Sequence, residues 1–311
     1  MTSPYLTEEH AHFRKSVRAF VDKEIEPFIE EWEEQETFPK ALYAKAADVG
    51  LLGIGFPEAY GGVDVDLFYS WVATEELCRA GSGGLIAGLL SHVIGAPPIA
   101  NIGSTALKDR VLPSILSGEK ISCLAITEPN GGSDVANLKT SAKHDGDHYI
   151  VNGAKTFITS GIRADYYTVA VRTGDEGFGG ISLLLIDKDT PGFTKEPIKK
   201  MGWWCSDTAS LYFEDCRVPM SNLIGEENQG FMGIMLNFNF ERVFLAGQAL
   251  GLAKTCLHEA IEWAKERHTF GKPLIHRQVI RHKIVDMQMK ILATEAFLEK
   301  TIWQLEKEDV P

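Results

Sequence analysis

The sequence holds no Cys-x-x-Cys pair. Its five cysteines, Cys78, Cys123, Cys205, Cys216 and Cys256, are scattered and odd in number, which excludes a complete disulfide framework and gives no zinc-ligand spacing. Basic residues are in the minority: 31 Lys and Arg against 43 Asp and Glu leave a net charge of −12. Neither nucleic acid nor an anionic membrane surface is therefore expected as the main partner. No run approaches the roughly 18 consecutive apolar residues that read as a membrane span. The N-terminus has no basic stretch ahead of an apolar run, and it lacks the Arg-rich, acid-poor character of a transit peptide. These absences lead us to expect a soluble, cytoplasmic protein in a reducing compartment. Gly-x-Gly-x-x-Gly is missing too, since Gly81-Ser-Gly83-Gly84 lacks the last glycine; so are the P-loop and the Gly-x-Ser-x-Gly elbow. His258-Glu259 has no second His four residues after the first, and His144-Asp-Gly-Asp-His148 reads as a solvated turn, so no metal site is expected.

What is present is an ordinary globular composition over 311 residues, long enough for roughly two domains at ~150 residues each. Phe13, Val17, Phe20, Val21, Ile25 and Phe28 recur at three- and four-residue spacing, predicting an amphipathic helix from Thr7 to about Glu34 that Pro27 kinks. Further helices are expected over Pro39–Val49, Leu67–Ala80, Leu85–Ile94 and Ser104–Leu116. The period then changes. Ile121–Ile126, Tyr166–Arg172, Ile181–Ile186 and Ala209–Phe213 read as strands, and Asp145-Gly146 and Asn152-Gly153 as hairpin turns, giving about six or more strands. Helical spacing returns over Phe231–Ala264 and Ile275–Leu305, on either side of Phe270-Gly-Lys-Pro273. The expected fold is α+β: an N-terminal helical domain (1–120), a small antiparallel, barrel-like β domain (121–225) and a C-terminal helical bundle (226–311). Two long helices with apolar faces need further partners, so the bundle is expected to be incomplete, with sequence missing beyond Glu308–Pro311.

Three segments carry more than fold. In Leu124-Ala-Ile-Thr127-Glu-Pro-Asn-Gly131-Gly132-Ser133-Asp134 a strand runs into hydroxyls and glycines, which suits backbone N–H groups approaching an anionic or heteroaromatic ligand; an ordinary Gly-rich turn is the alternative. In Lys155-Thr-Phe157-Ile158-Thr159, alternation puts Phe157 and Thr159 on one face and Ile158 on the other. An aromatic beside a hydroxyl suits the flank of a planar cofactor, and a plain half-buried strand suits the pattern equally. In Asn239-Phe-Glu241-Arg242 a carboxylate sits in an otherwise apolar, small-residue helix. Desolvated there, Glu241 is able to act as a general base; the alternative is a structural Glu–Arg pair. Arg267, near a helix end, reads by default as a partner of the helix dipole.

In this order the three segments, with Arg267-His-Thr-Phe270-Gly-Lys-Pro273, Phe213-Glu-Asp-Cys-Arg217-Val-Pro219 and Asn222-Leu-Ile-Gly225, resemble the acyl-CoA dehydrogenase family of flavoproteins along essentially the whole chain. The resemblance implies an FAD enzyme that oxidises an acyl-CoA thioester to the trans-2-enoyl-CoA, a reaction of fatty acid β-oxidation, and passes electrons to an electron-transfer flavoprotein. It implies that Leu124, Thr127, Gly132 and Ser133 wrap the flavin edge and phosphates, and that Phe157, Ile158 and Thr159 flank the ring with Thr159 towards N5. Ser133, Asn239 and Arg242 would contact the acyl-CoA, and Glu241 would be the base, as in the isovaleryl- and long-chain-type branches. Arg267, Phe270 and Gln278 would reach the FAD of a neighbouring subunit, implying a homo-oligomer, dimer or tetramer. Three departures from the pattern stand out: Phe157 replaces the usual Trp, Asn137 replaces a smaller residue, and no Gly-Gly-x-Gly stretch follows the last helix. An acyl-CoA oxidase or flavin monooxygenase on the same fold, and a non-catalytic subunit, are the competing readings.

Overall fold

The structure, a computed structural model, describes residues 3–307. The expectation placed on Glu308–Pro311 lies outside the described residues. Helix α1 (Glu8–Glu24) starts at a capping box in which Thr7 accepts from the His10 amide and His10 accepts from the Thr7 amide, settling two donors that a helix start leaves unpaired. It stops at Ile25, and Pro27 lies in a 3-10 turn (Glu26–Phe28) before α2 (Ile29–Glu34), so the expected kink is a break. Next come α3 (Ala41–Asp48), α4 (Leu67–Cys78), α5 (Gly83–Leu89), α6 (His92–Gly95), α7 (Pro97–Ile102) and α8 (Thr105–Leu116). The single helix expected over Leu85–Ile94 is two helices, and α7, headed by two prolines, was not anticipated.

The strands are β1 (Ser122–Ala125), β2 (Ser141–Asp145), β3 (His148–Thr159), β4 (Tyr166–Arg172), β5 (Ile181–Asp187), β6 (Phe193–Pro197), β7 (Thr208–Pro219) and β8 (Leu223–Ile224). They form one sheet in the order β6-β7-β3-β2-β4-β5-β8, with β1 added on β4. The pairings are antiparallel except β1 with β4 and the single Ser141–Arg172 pair of β2 with β4. Asp145-Gly146 makes the expected hairpin between β2 and β3, with Gly146 at φ +63°. Asn152-Gly153 does not turn the chain. It lies inside β3, where a register shift between Val151 and Gly153 against β7 marks a bulge. Gly153 takes φ +145°, and a Cβ there would stand 2.7 Å from the Thr140 Cα, so the glycine serves close backbone approach rather than a turn.

Helix α9 (Gly230–Glu266) and helix α10 (Gln278–Glu306) flank the short hairpin of β9 (His268–Thr269) and β10 (Lys272–Pro273). Among the described residues, no single helix is long and apolar enough to cross a membrane. The chain forms two compact units, neither of them one continuous stretch. One comprises Met1–Ile29, Val65–Gly83 and Arg242–Pro311; the other comprises Glu30–Asp64 and Gly84–Glu241. In the first, Phe68, Trp71, Leu250, Leu257, Ile291, Leu298 and Ile302 form the core. Beside that core the buried carboxylate of Glu76 is held by Arg14 and Arg18 at 2.9 Å each. In the second, Ile99, Val111, Leu112 and Ile115 of α7 and α8 pack on Ala170, Ile181, Leu183 and Leu185 of β4 and β5. On the same sheet β1 pairs with β4 over Ser122–Ala125, and the chain beyond its end opens the candidate site.

Candidate active site

The site is built first on a buried ion pair. Lys155, fully buried on β3, donates to Glu128 Oε1 at 2.9 Å and to the Ile126 carbonyl at 3.0 Å. Glu128 also accepts from the amides of Lys139 at 2.6 Å and Thr140 at 2.8 Å. Burial pushes the Lys155 ammonium down to about 8 against the opposing pull of Glu128. For Glu128, burial acts upward, but the Lys155 charge, Thr140 and the Lys139 amide outweigh it and hold the carboxyl below its usual range. Both groups are thus charged at neutral pH, and together they bind the segment after β1 to β3.

That segment is then shaped by the backbone. The Thr156 amide donates to the Thr127 carbonyl at 2.9 Å, and Glu128 and Gly131 close a tight turn with two mutual bonds of 3.0 and 3.1 Å. A Cβ on Gly132 would press on the Thr127 methyl at 3.2 Å, so glycine lets the turn fold back over Thr127. Gly132 and Ser133 are exposed, Thr127 is half-buried, and Leu124 packs partly into the core. Opposite lies a bulge in β3 between Lys155 and Ile158. There Phe157 adopts φ +59°, a conformation that strains a bulky residue, and is 67% exposed. The Ile158 side chain is buried, leaving only its backbone for a ligand, while Thr159 is half-buried. An aromatic face held out at cost beside a Gly-rich turn is a wall for a flat ligand.

Glu241 is half-buried on α9, and its Oε1 accepts from Asn237 Nδ2 at 2.8 Å. Asn237 also donates to the Ile94 carbonyl of α6 at 3.0 Å. Helix α6 in turn seats on the sheet, where Thr168 Oγ1 donates to the Gly95 carbonyl at 2.6 Å and Ser91 Oγ to the Ser122 carbonyl at 3.0 Å. The carboxylate is therefore tied through Asn237 and α6 to β1 and β4 of the sheet. Asn239 is exposed beside it. In the other unit, Arg242, Arg267 and Gln278 are exposed, and Phe270 stands at the β9–β10 hairpin tip, 96% exposed at φ +50° with the Arg277 guanidinium 5.5 Å from its ring centre. Sequence reasoning missed two members, the Glu128–Lys155 pair and Asn237. Both had a signal: a lysine at an inward position of an alternating strand, and an amide in an apolar helix.

The fold and this site belong to a flavin-dependent class of oxidoreductase. The chain matches "Acyl-CoA dehydrogenase, N-terminal domain" over residues 7–119, the middle domain over 123–216 and the C-terminal domain over 228–311. It is similar to isobutyryl-CoA dehydrogenase of Dictyostelium discoideum, 39% identical over 98% of this chain and 73% of that protein. A crystal structure of a "probable acyl CoA dehydrogenase" from Mycobacterium abscessus superposes with a TM-score of 0.95 at 48% identity, covering 97% of this chain and 81% of that one. An acyl-CoA dehydrogenase from Bacillus anthracis complexed with FAD superposes with a TM-score of 0.92 at 32% identity, covering 99% of this chain and 53% of that one. The chain belongs to the acyl-CoA dehydrogenase family, whose members are FAD-dependent oxidoreductases acting on acyl-CoA. The residues present fit that cofactor: a flat exposed aromatic, a glycine turn with room for close approach, and half-buried hydroxyls at Thr127 and Thr159.

Proposed function

We propose that this chain catalyses α,β-dehydrogenation of an acyl-CoA thioester to the trans-2-enoyl-CoA, with Glu241 removing the α proton. The observation that carries this reading is a half-buried carboxylate on α9 that accepts from the Asn237 amide and is linked through Asn237 and α6 to β1, the strand that leads into the Thr127 turn. FAD, when bound, supplies the acceptor for the β hydrogen, which leaves as hydride. Displacement of water from the half-buried carboxylate when acyl-CoA binds strengthens it against a weakly acidic C–H. The Thr127 and Thr159 hydroxyls orient the ring edge, with Leu124, Gly132 and the Ile158 backbone beside it. Ser133 serves the phosphates and the thioester chain, and Asn239 and Arg242 bind the CoA portion.

Arg267, Phe270 and Gln278, all exposed, serve the FAD of a second copy, which makes the active form a homo-oligomer, dimer or tetramer. An electron-transfer flavoprotein takes the electrons, and the enzyme works in the cytoplasm in fatty acid β-oxidation. The test is Glu241→Gln, which keeps the shape and removes the base. The variant should retain FAD while anaerobic acyl-CoA bleaches it at least about 1,000-fold more slowly. A bleaching rate equal to the parent protein's would place the base elsewhere.

A further inference from the structure

Arg172, half-buried at the end of β4, donates four side-chain hydrogen bonds, all to main-chain carbonyls. Nε reaches Leu138 at 3.1 Å, Nη2 reaches Ala136 at 2.6 Å, and Nη1 reaches Asp175 at 2.5 Å and Gly177 at 2.9 Å. The first two carbonyls belong to the segment between β1 and β2, the last two to the loop between β4 and β5. A planar fork of five donors spans four such acceptors, whereas the ammonium of a lysine is a single point. The loop is shaped to admit the fork. A Cβ on Gly180 would stand 2.0 Å from the Asp175 carbonyl oxygen and 2.9 Å from Arg172 Nη1, so only glycine leaves room.

What Arg172 holds is the stretch that leads back to Ser133. Val135–Asn137 form a 3-10 turn, closed by the Asn137 amide on the Asp134 carbonyl at 3.1 Å and tightened by Asn137 Nδ2 on Asp134 Oδ2 at 2.5 Å. Residues 129–134 are all exposed, and Ser133 follows two glycines, so its direction is set from the turn that comes after it. From this we infer that Arg172 is the positioning residue for Ser133: by fastening the turn at Ala136 and Leu138 to the β4–β5 loop, it presents the Ser133 hydroxyl to the acyl-CoA. The inference rests on the reading of Ser133 as a contact of the thioester chain. A segment that is already ordered spends no binding free energy on its own ordering, so loss of the clamp is felt in affinity and not in the rate of the bound complex.

The test titrates FAD-loaded protein anaerobically with butyryl-, isovaleryl- and palmitoyl-CoA, following whichever bleaches the parent flavin. It compares Arg172→Met, Arg172→Lys and Ser133→Ala with the double variant Arg172→Met plus Ser133→Ala. One hydrogen bond to the ligand is worth about 3- to 10-fold in affinity, so Ser133→Ala should raise the dissociation constant by that factor. Arg172→Met should raise it by about the same factor while the bleaching rate at saturation changes less than about twofold, with Arg172→Lys in between. The double variant should bind no more weakly than the weaker single one, because a misplaced Ser133 has no contact left to lose. An Arg172→Met protein that binds like the parent, or losses that multiply in the double variant, would overturn the proposal. A Ser133→Ala protein of parent affinity would instead overturn the role given to Ser133. If Arg172→Met fails to fold with flavin, Arg172→Lys takes its place in the comparison, and failure of both would assign Arg172 to the fold alone and overturn the proposal.

Discussion

His92 shows how single groups in the second unit respond to acid. It is wholly buried, with Nε2 3.0 Å from the Leu52 carbonyl and its ring stacked 5.8 Å from that of Phe56. Burial lowers its pKa from 6.5 to about 4, more than the Leu52 and Leu89 carbonyls restore. The unfolded chain therefore takes up a proton near pH 6.5 that the folded protein refuses until about pH 4. Stability associated with this residue is full above pH 6.5 and is lost as pH falls through that window. At pH 5 the expected loss is about 2 kcal/mol relative to pH 8. Denaturant unfolding of the parent and of His92→Gln at both pH values checks it: the difference should shrink by that amount in the variant. An equal pH dependence in both proteins would contradict the assignment.

Among elements, β3 does the most to build the site. Its register shifts twice against β7, once at Gly153 and once before Ile158, and between them the inward Lys155 meets Glu128. Removing one partner strands the other charge in the interior, so Lys155→Met should cost about 3–5 kcal/mol of stability and weaken FAD retention with it. Adding Glu128→Gln should return part of that loss. Thermal or urea midpoints with flavin content measured on the same samples decide this, and an unchanged midpoint for Lys155→Met would refute it. How far such an element can be read from sequence depends on where its causes lie. The helices α9 and α10 and the Asp145-Gly146 hairpin were legible because period and turn chemistry are local. Asn152-Gly153 misled because the reason for its glycine is Thr140, across the sheet. The left-handed Phe157 was illegible for a similar reason: bulge strain is imposed by pairing with β7 and not by the residue itself. Glu241 stood out as a carboxylate in an apolar helix, whereas the role of Asn237 depends on Ile94, 143 positions away.

For the whole molecule, two discontinuous units are assembled from one chain. Glu241 closes the second unit and Arg242 opens the last segment of the first. Exposed apolar groups such as Phe157 and Phe270 are retained against their hydration cost. On the proposed function, a flavin covers the first and another copy of the chain the second. The most direct test of the central claim is an anaerobic visible spectrum of the purified, FAD-loaded protein titrated with short, branched and long acyl-CoA thioesters, with the products identified. The flavin band should bleach with at least one class, with one trans-2-enoyl-CoA formed per flavin reduced. A flavin-loaded protein whose spectrum answers to none of these thioesters would contradict it.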